Sequence, residues 1–384
     1  MTKSKFIRRG SDTTAASAVC GVVFCLFSFV YLFFYQDDLL TMEQHVLSKG
    51  LTHYNRIAGA LIITLLLQLM QVAVDTATRK CTKHPAMTYF IPFTAIAIIT
   101  DISPTVDSGY TLGAWAWAIP VLMAGYALAT YVSASLLANN NGPGKKSQYR
   151  ILWENLTVMA ALMVFTCATS NTDNIFHTRM KIDRLVSEGN FSEALEQGKH
   201  NARTDSSTTM LRAYALSRTG KMGEKLFEYP LCGGSDALLP NGTSVKAMIC
   251  PEAQIFRNVA RPANRRMRAK EYLTRMRRMG YSKKPLHDYI LCAYLMDKDI
   301  DSFAKEIATD PRYAGGTLPK HYREALVLYN HIRSNPVTSY TNTVIDADYT
   351  DLQSILKSTA DKAERKAKAR ETFGNTYWFY WLYS

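Results

Sequence analysis

The sequence predicts an all-α protein in two parts. An N-terminal bundle of about five transmembrane helices over residues 1–170 is followed by an extracytoplasmic array of α-helical hairpins over residues 171–384. Three observations carry that reading. Apolar runs of membrane-crossing length occur only before residue 170. Charge is unevenly split, with 12 Lys/Arg and 8 Asp/Glu in residues 1–170 against 33 and 24 in the remainder. Beyond residue 171 the apolar residues recur at helical spacing and stop at glycine or proline. A chain of 384 residues has room for two domains of ordinary size, and the composition shift marks the boundary.

About 18 or more consecutive apolar residues can cross a bilayer as helix. The candidate spans are 15–35, 57–74, 86–102, 112–137 and 151–168. The first follows Lys3, Lys5, Arg8 and Arg9, as a signal peptide would. Its apolar core is too long for one, and YLFFYQDD offers no small-x-small cleavage site, so it is expected to remain as an anchor. The third is short and carries Pro92. Basic residues gather in the N-terminal tail, at Arg79, Lys80 and Lys83, and at Lys145, Lys146 and Arg150. The alternate loops hold only Lys49 and Arg56, or none. Cationic side chains resist translocation. Five spans then place the N-terminus in the cytoplasm and residues 171–384 outside a bacterial-type inner membrane.

Within the spans, Gly125, Ala129 and Ser133 form a small-residue stripe suited to close helix packing. Gln68, Gln71 and Asp75 share one face of the second span, and Glu154 and Asn155 enter the fifth at a similar depth. Gln68, Gln71, Glu154 and Asn155 are therefore a candidate intramembrane polar cluster, either a helix fastener or a functional carboxylate site. In the first outer loop, Asp37 and Asp38 open a short amphipathic helix whose N-terminus they complement. A juxtamembrane acidic pair in that loop also resembles the large membrane glycosyltransferases that use lipid-linked sugar donors. That likeness covers Asp37 and Asp38 alone, and implies metal binding or base catalysis by them.

The outer half opens with RLVSEGNFSEALEQG, in which a helix ends at Gly189 and a second begins after Asn190, with Glu193 placed for a capping box. The second helix buries Phe191, Ala194 and Leu195. The pattern Gly189-x-Phe191-x-x-Ala194 resembles the inter-helix turn of a tetratricopeptide repeat. Similar hairpins turn at Gly220 and at about Lys298–Asp299, with proline stops at Pro230, Pro311 and Pro336. The interval from Gly189 to Gly220 is 31 residues, and most other hallmark positions of the family are missing. The resemblance implies a degenerate hairpin array over about 175–336, with a concave surface that holds a protein partner.

Two insertions interrupt the array. The first holds Cys232 and Cys250, which either close a disulfide or stay free thiols. The second is cationic, with eleven Lys/Arg and one acid, Glu271, between Arg257 and Lys284. There a helix with Ala269, Leu273 and Met276 inward would carry Arg265, Arg266, Arg268, Arg275 and Arg278 outward. Such a face either is simply solvated or meets anionic lipid, acidic glycan or an acidic protein. Nucleic acid is not an expected partner outside the cytoplasm. The final residues, Tyr377 to Tyr383, are so aromatic that they are expected to pack on the protein's own helices.

No nucleophile elbow, His-Glu-x-x-His pair, phosphate loop or Cys-x-x-Cys pair is present, so no cofactor and no metal are expected. The favoured function is non-enzymatic, a scaffold that holds a protein partner in cell-envelope assembly or maintenance. The alternatives are a glycosyltransferase-like enzyme using Asp37 and Asp38, and a sensor or transporter subunit using Glu154.

Overall fold

A computed structural model describes residues 11–78, 84–109, 111–139, 148–199, 201, 203–263, 265–310, 313 and 317–384. Among these residues the chain forms eighteen α-helices and no strand. Lys3, Lys5, Arg8, Arg9, Arg79, Lys80, Lys83, Lys145 and Lys146, on which the expected orientation rests, lie outside the described residues, as does Pro311. The chain divides into two compact units, Met1–His177 and Thr178–Ser384, a few residues beyond the composition boundary.

The first unit holds α1 (Ser11–Val30), α2 (Asp37–Leu47), α3 (Arg56–Thr78), α4 (Phe90–Thr100), α5 (Trp115–Asn139) and α6 (Gln148–Thr169), and contains the start of α7 (Asn174–Ser187). Four stretches are long and apolar enough to cross a membrane: Thr14–Tyr35, Arg56–Thr78, Trp115–Ser133 and Tyr149–Thr169. The protein is therefore a multi-pass membrane protein. The expected third span is the shorter Pro85–Thr100, a 3-10 turn running into α4.

That short segment is the core of the bundle. Pro85, Ala86, Tyr89, Phe93, Ile96 and Ala97 are buried, and Phe24 of α1 packs against Tyr89 and Phe93, each with ring centroids 5.0 Å apart. It runs parallel to α6, with polar pins at both ends. Asn155 Oδ1 accepts the Ala86 N–H at 3.0 Å. Thr166 Oγ1 donates to the Phe93 carbonyl at 3.2 Å, and the Asn171 N–H donates to the Thr100 carbonyl at 3.1 Å. Helix ends leave orphan donors and acceptors, and lipid offers them no partner. Asn155, inside α6, and Asn171, just beyond its end, supply those partners. From Ala86 to Thr100 the rise is roughly 22 Å, against a hydrocarbon thickness of roughly 30 Å.

The pins also order the other helices. Tyr31, in the π-helical turn that ends α1, meets Ser170 at 2.5 Å, and Arg56 at the start of α3 donates to the Phe33 carbonyl. Trp115 at the start of α5 donates to Asp101 at 2.8 Å, while Ser133 reaches Met87. Successive segments α1, α3, α4, α5 and α6 thus alternate in direction, and α1 begins at the end of the bundle opposite to that where α6 stops. The Gly125/Ala129 stripe is a correction to expectation. Both residues are exposed and a Cβ on Gly125 would meet nothing, because α5 turns Tyr126 inward to stack on Phe90 at 5.1 Å.

The second unit comprises the rest of α7, then α8 (Phe191–Glu196), α9 (Ser206–Arg218), α10 (Met222–Lys225), α11 (Glu252–Val259) and α12 (Ala269–Arg278). It continues with α13 (Lys284–Met296), α14 (Ile300–Ala308), α15 (Lys320–Ile332), α16 (Thr343–Ser358), α17 (Lys362–Phe373) and α18 (Tyr377–Tyr383). One turn recurs four times. The N–H of Asn190, Lys221, Tyr281 and Asp299 reaches back five residues to Leu185, Leu216, Met276 and Tyr294 respectively. The preceding residue is left-handed each time: Gly189, Gly220, Gly280 and Lys298, at φ of 84, 69, 72 and 58°. The second helices α8 and α10 have only six and four residues, so these hairpins are asymmetric.

Helix α13 is the axis of this core, with Tyr289, Leu291, Cys292, Ala293 and Leu295 fully buried. Gly223 permits the close approach of α15, since a Cβ there would lie 2.6 Å from the Tyr322 ring. The aromatic C-terminal helix packs within this unit, burying Tyr377 and Trp378.

Candidate functional site

The cationic insertion builds the most distinctive surface of the second unit. Arg261, Arg265 and Arg275 line a cavity of about 600 Å³ with Met267, Met276 and Met279. A neighbouring cavity of about 310 Å³ shares Arg265, Met267 and Tyr272 and adds Arg266 and Glu252. Ala269, Tyr272 and Leu273 are the buried anchor of α12. The Arg261 guanidinium lies over the Tyr281 ring, 3.7 Å from its centroid, and the Arg261 carbonyl accepts the Tyr272 hydroxyl.

The arginines are not all carried by the helix. Helix α12 begins at Ala269, so Arg265, Arg266 and Arg268 lie in the segment before it and only Arg275 and Arg278 lie on it. Cations are disfavoured at an N-terminus and favoured in the last turn, where Arg275, Arg277 and Arg278 sit. Several cations are neutralised locally: Lys270 by Asp297 at 2.8 Å, Arg277 by Glu306, and Arg268 loosely by Asp236 at 4.0 Å. Among the described residues Arg265, Arg275 and Arg278 make no ion pair. Burial pushes the Glu252 carboxyl up, while the Ala247 amide and the Arg266 charge hold it down. The surface thus has free guanidinium groups beside polarizable thioethers, Met279 being half exposed.

The other candidates divide. Gln68, Gln71 and Asn155 do converge, on the start of the short segment: Gln71 donates to Thr88 at 2.8 Å and Gln68 to Gln71 at 3.2 Å. Glu154 pairs with Arg150 one turn back at 3.0 Å. Asp37 and Asp38 are buried in the first turn of α2, and Arg56 holds Asp37 at 3.2 Å. Burial and the Asp37 charge push the Tyr54 hydroxyl up to about 12. Next to α2 lies a cavity of about 300 Å³ lined by Glu43, Asp101, Trp115 and Asn171. Burial pushes the Glu43 carboxyl up. Among the described residues no group of three or more His, Cys, Asp or Glu is placed to hold a metal.

Cys232 and Cys250 are both free thiols, the first exposed and the second buried. The loop between them is held by a residue with no sequence signal. Asp183, fully buried on α7, accepts the consecutive N–H groups of Met248, Ile249 and Cys250 at 2.6, 3.0 and 2.9 Å. Burial pushes its carboxyl up, and those amides and Arg179 oppose the shift.

No curated protein and no solved structure matches the chain. One family profile does, over residues 103–261 and 265–384, which takes in α5, α6, the hairpins, both insertions and the aromatic tail. That span exceeds half of the chain, and the protein belongs to DUF6057, a family of unknown function.

Proposed function

We propose that this protein is a non-enzymatic scaffold of a bacterial inner membrane. Its second unit is read as a degenerate tetratricopeptide-like array, outside the membrane, that holds a protein partner in envelope assembly or maintenance. The Lys/Arg bias of the sequence, taken with an odd number of alternating segments, supports a topology with the N-terminus in the cytoplasm. The single observation that carries the binding role is the groove in which unpaired Arg265 and Arg275 flank Met267, Met276 and Met279. Methionine surfaces adapt to varied apolar side chains, and the free guanidinium groups select carboxylates. The occupant that fits is an acidic amphipathic segment of a partner protein.

A photo-crosslinking residue at Met279 in intact cells tests this. The expected product is one protein, joined through an acidic amphipathic peptide, and lost when Arg265 and Arg275 are both changed to Glu. Recovery of lipid alone, or equal capture by the charge-reversed variant, overturns the reading.

A membrane-embedded transferase acting on a lipid-linked sugar, with Asp37 and Asp38 as its carboxylates, is the second reading, and the cavity lined by Glu43 and Asp101 beside α2 favours it. For that enzyme, Asp37→Asn and Asp38→Asn abolish function in cells while membrane abundance is unchanged. A scaffold tolerates both.

A further inference from the structure

The second unit also carries a cationic cavity of about 500 Å³ that uses elements remote in sequence from the arginine–methionine groove. Lys199, in the loop after α8, sits with its Nζ 5.9 Å from the Tyr229 ring centroid. Lys366 of α17 lies 5.6 Å from the Tyr383 ring, and Arg370 stands one turn further along the same helix. Among the described residues none of these three makes an ion pair. Two acidic groups share the lining, each met by a lysine from outside the cavity: Lys320 engages the Glu228 carboxylate at 3.4 Å, and Lys298 donates to the terminal oxygen of Ser384 at 3.1 Å.

A fourth cation lies behind the wall. Arg212 is 1% exposed, with its guanidinium 5.3 Å from the same Tyr229 ring. Its Nη2 donates to the Gln197 and Gly198 carbonyls, while Nε and Nη1 have no hydrogen-bond partner. Burial lowers its pKa to about 10, which leaves it charged at neutral pH. The Tyr383 hydroxyl is likewise buried without a partner. Lys366 and Arg370 are exposed and Lys199 half-buried, so three cations face one cavity with Arg212 behind its wall, and an anion held between them relieves their mutual repulsion.

We propose that this cavity binds a phosphorylated ligand, a phosphate monoester or pyrophosphate carried on an organic group that packs against Tyr229, Phe379 and Tyr383. The charge count selects the anion. A carboxylate monoanion leaves most of the cationic cluster uncompensated, whereas a phosphoryl dianion offers several acceptor oxygens to Lys199, Lys366 and Arg370 at once. The volume falls in the range of small-molecule pockets, and the aromatic wall has room for a ring or a short acyl segment.

The test titrates inorganic pyrophosphate into the full-length protein in neutral detergent, read by calorimetry and by the fluorescence of Trp378 and Trp381 on α18. The expected result is saturable binding, weakened about tenfold or more by Arg370→Gln or Lys199→Gln and unchanged by Arg265→Gln with Arg275→Gln. Each variant's melting curve is compared with that of the unaltered protein. No saturable binding, or equal binding by variants that melt like the parent, overturns the proposal. Nanodiscs containing phosphatidic acid, set against neutral ones, identify the source. Capture lost in the Arg370→Gln variant assigns a lipid phosphate, and pyrophosphate binding without nanodisc capture assigns a soluble one.

Discussion

Glu324 of α15 holds Trp378 of α18 by its backbone carbonyl, which accepts the indole N–H at 2.7 Å. The same residue's carboxylate accepts the Tyr377 N–H at 2.7 Å and contacts His321 at 2.9 Å. Glu324 thus takes one orphan donor of the aromatic helix's first turn, the Tyr377 N–H, while the Thr376 hydroxyl caps the Phe379 N–H. Packing completes the dock: Phe227 lies 5.0 Å from Tyr377, and Tyr349 lies 5.2 Å from Trp378. Trp378→Ala is expected to cost about 3–5 kcal/mol, and Glu324→Ala about 1–3 kcal/mol through the donors it strands. Thermal unfolding of the full-length protein in detergent checks both. A loss below 1 kcal/mol for Trp378→Ala would show that the tail is not part of the folded core.

Asp183 plays the corresponding part for the first insertion. An asparagine there keeps the volume but offers one acceptor oxygen, and turns an N–H₂ towards amides that already donate. Asp183→Asn is expected to cost about 2–4 kcal/mol and to free the 232–250 loop. The readout is thiol labelling. Cys232 is exposed and is modified at once, whereas Cys250 is buried and its thiol is pushed up to about 12 by burial and the Asp183 charge. In the variant Cys250 becomes modifiable without denaturant. Continued protection would show that the three hydrogen bonds do not hold the loop.

Asp297 ties the turn after α13 to the same insertion, accepting from the Ser235 N–H at 3.0 Å, the Ser235 hydroxyl at 2.8 Å and Lys270 at 2.8 Å. Partial burial raises its carboxyl, but Lys270 and Ser235 outweigh that and hold it below the ordinary value of 3.8. A depressed folded-state value means that the unfolded chain takes up the proton first. The stabilisation is thus present above about pH 4 and fades as pH falls through the folded value. Melting temperatures of the parent and Asp297→Asn are expected to differ near neutrality and to converge in acid. A constant difference would assign the loss to packing instead.

These two carboxylates show where sequence patterns stop being informative. Hydropathy located the long spans because length and composition alone decide them. Gly189 and Gly220 mark their turns because a left-handed residue there favours glycine, the turn near Lys298 is legible from its flanking helices, and the equivalent turn at Gly280 emerges only from the structure. Asp183 gave no signal, since its partners are backbone amides some 65 residues away. Spacing alone puts the arginines before α12 on a helical face, whereas the helix begins only at Ala269. The short segment 85–100 read as a weak span for a related reason. It is the bundle's central element, and its ends are stabilised by asparagines that no periodicity reveals.

Those asparagines make the last prediction. Asn155 is fully buried, accepting the Ala86 N–H and donating to the Ile151 carbonyl at 2.8 Å, whereas Glu154 beside it is partly exposed and paired with Arg150. Asn155→Leu keeps the size and strands a backbone donor where no water replaces it, at a cost of about 1–2 kcal/mol. Glu154→Gln removes a partly exposed ion pair and is expected to change stability by less than about 0.5 kcal/mol. Unfolding of both variants in mixed micelles of increasing denaturing-detergent fraction gives the order directly. If Glu154→Gln proves the more damaging, the carboxylate and not the asparagine organises this polar cluster, and the capping role assigned to Asn155 falls.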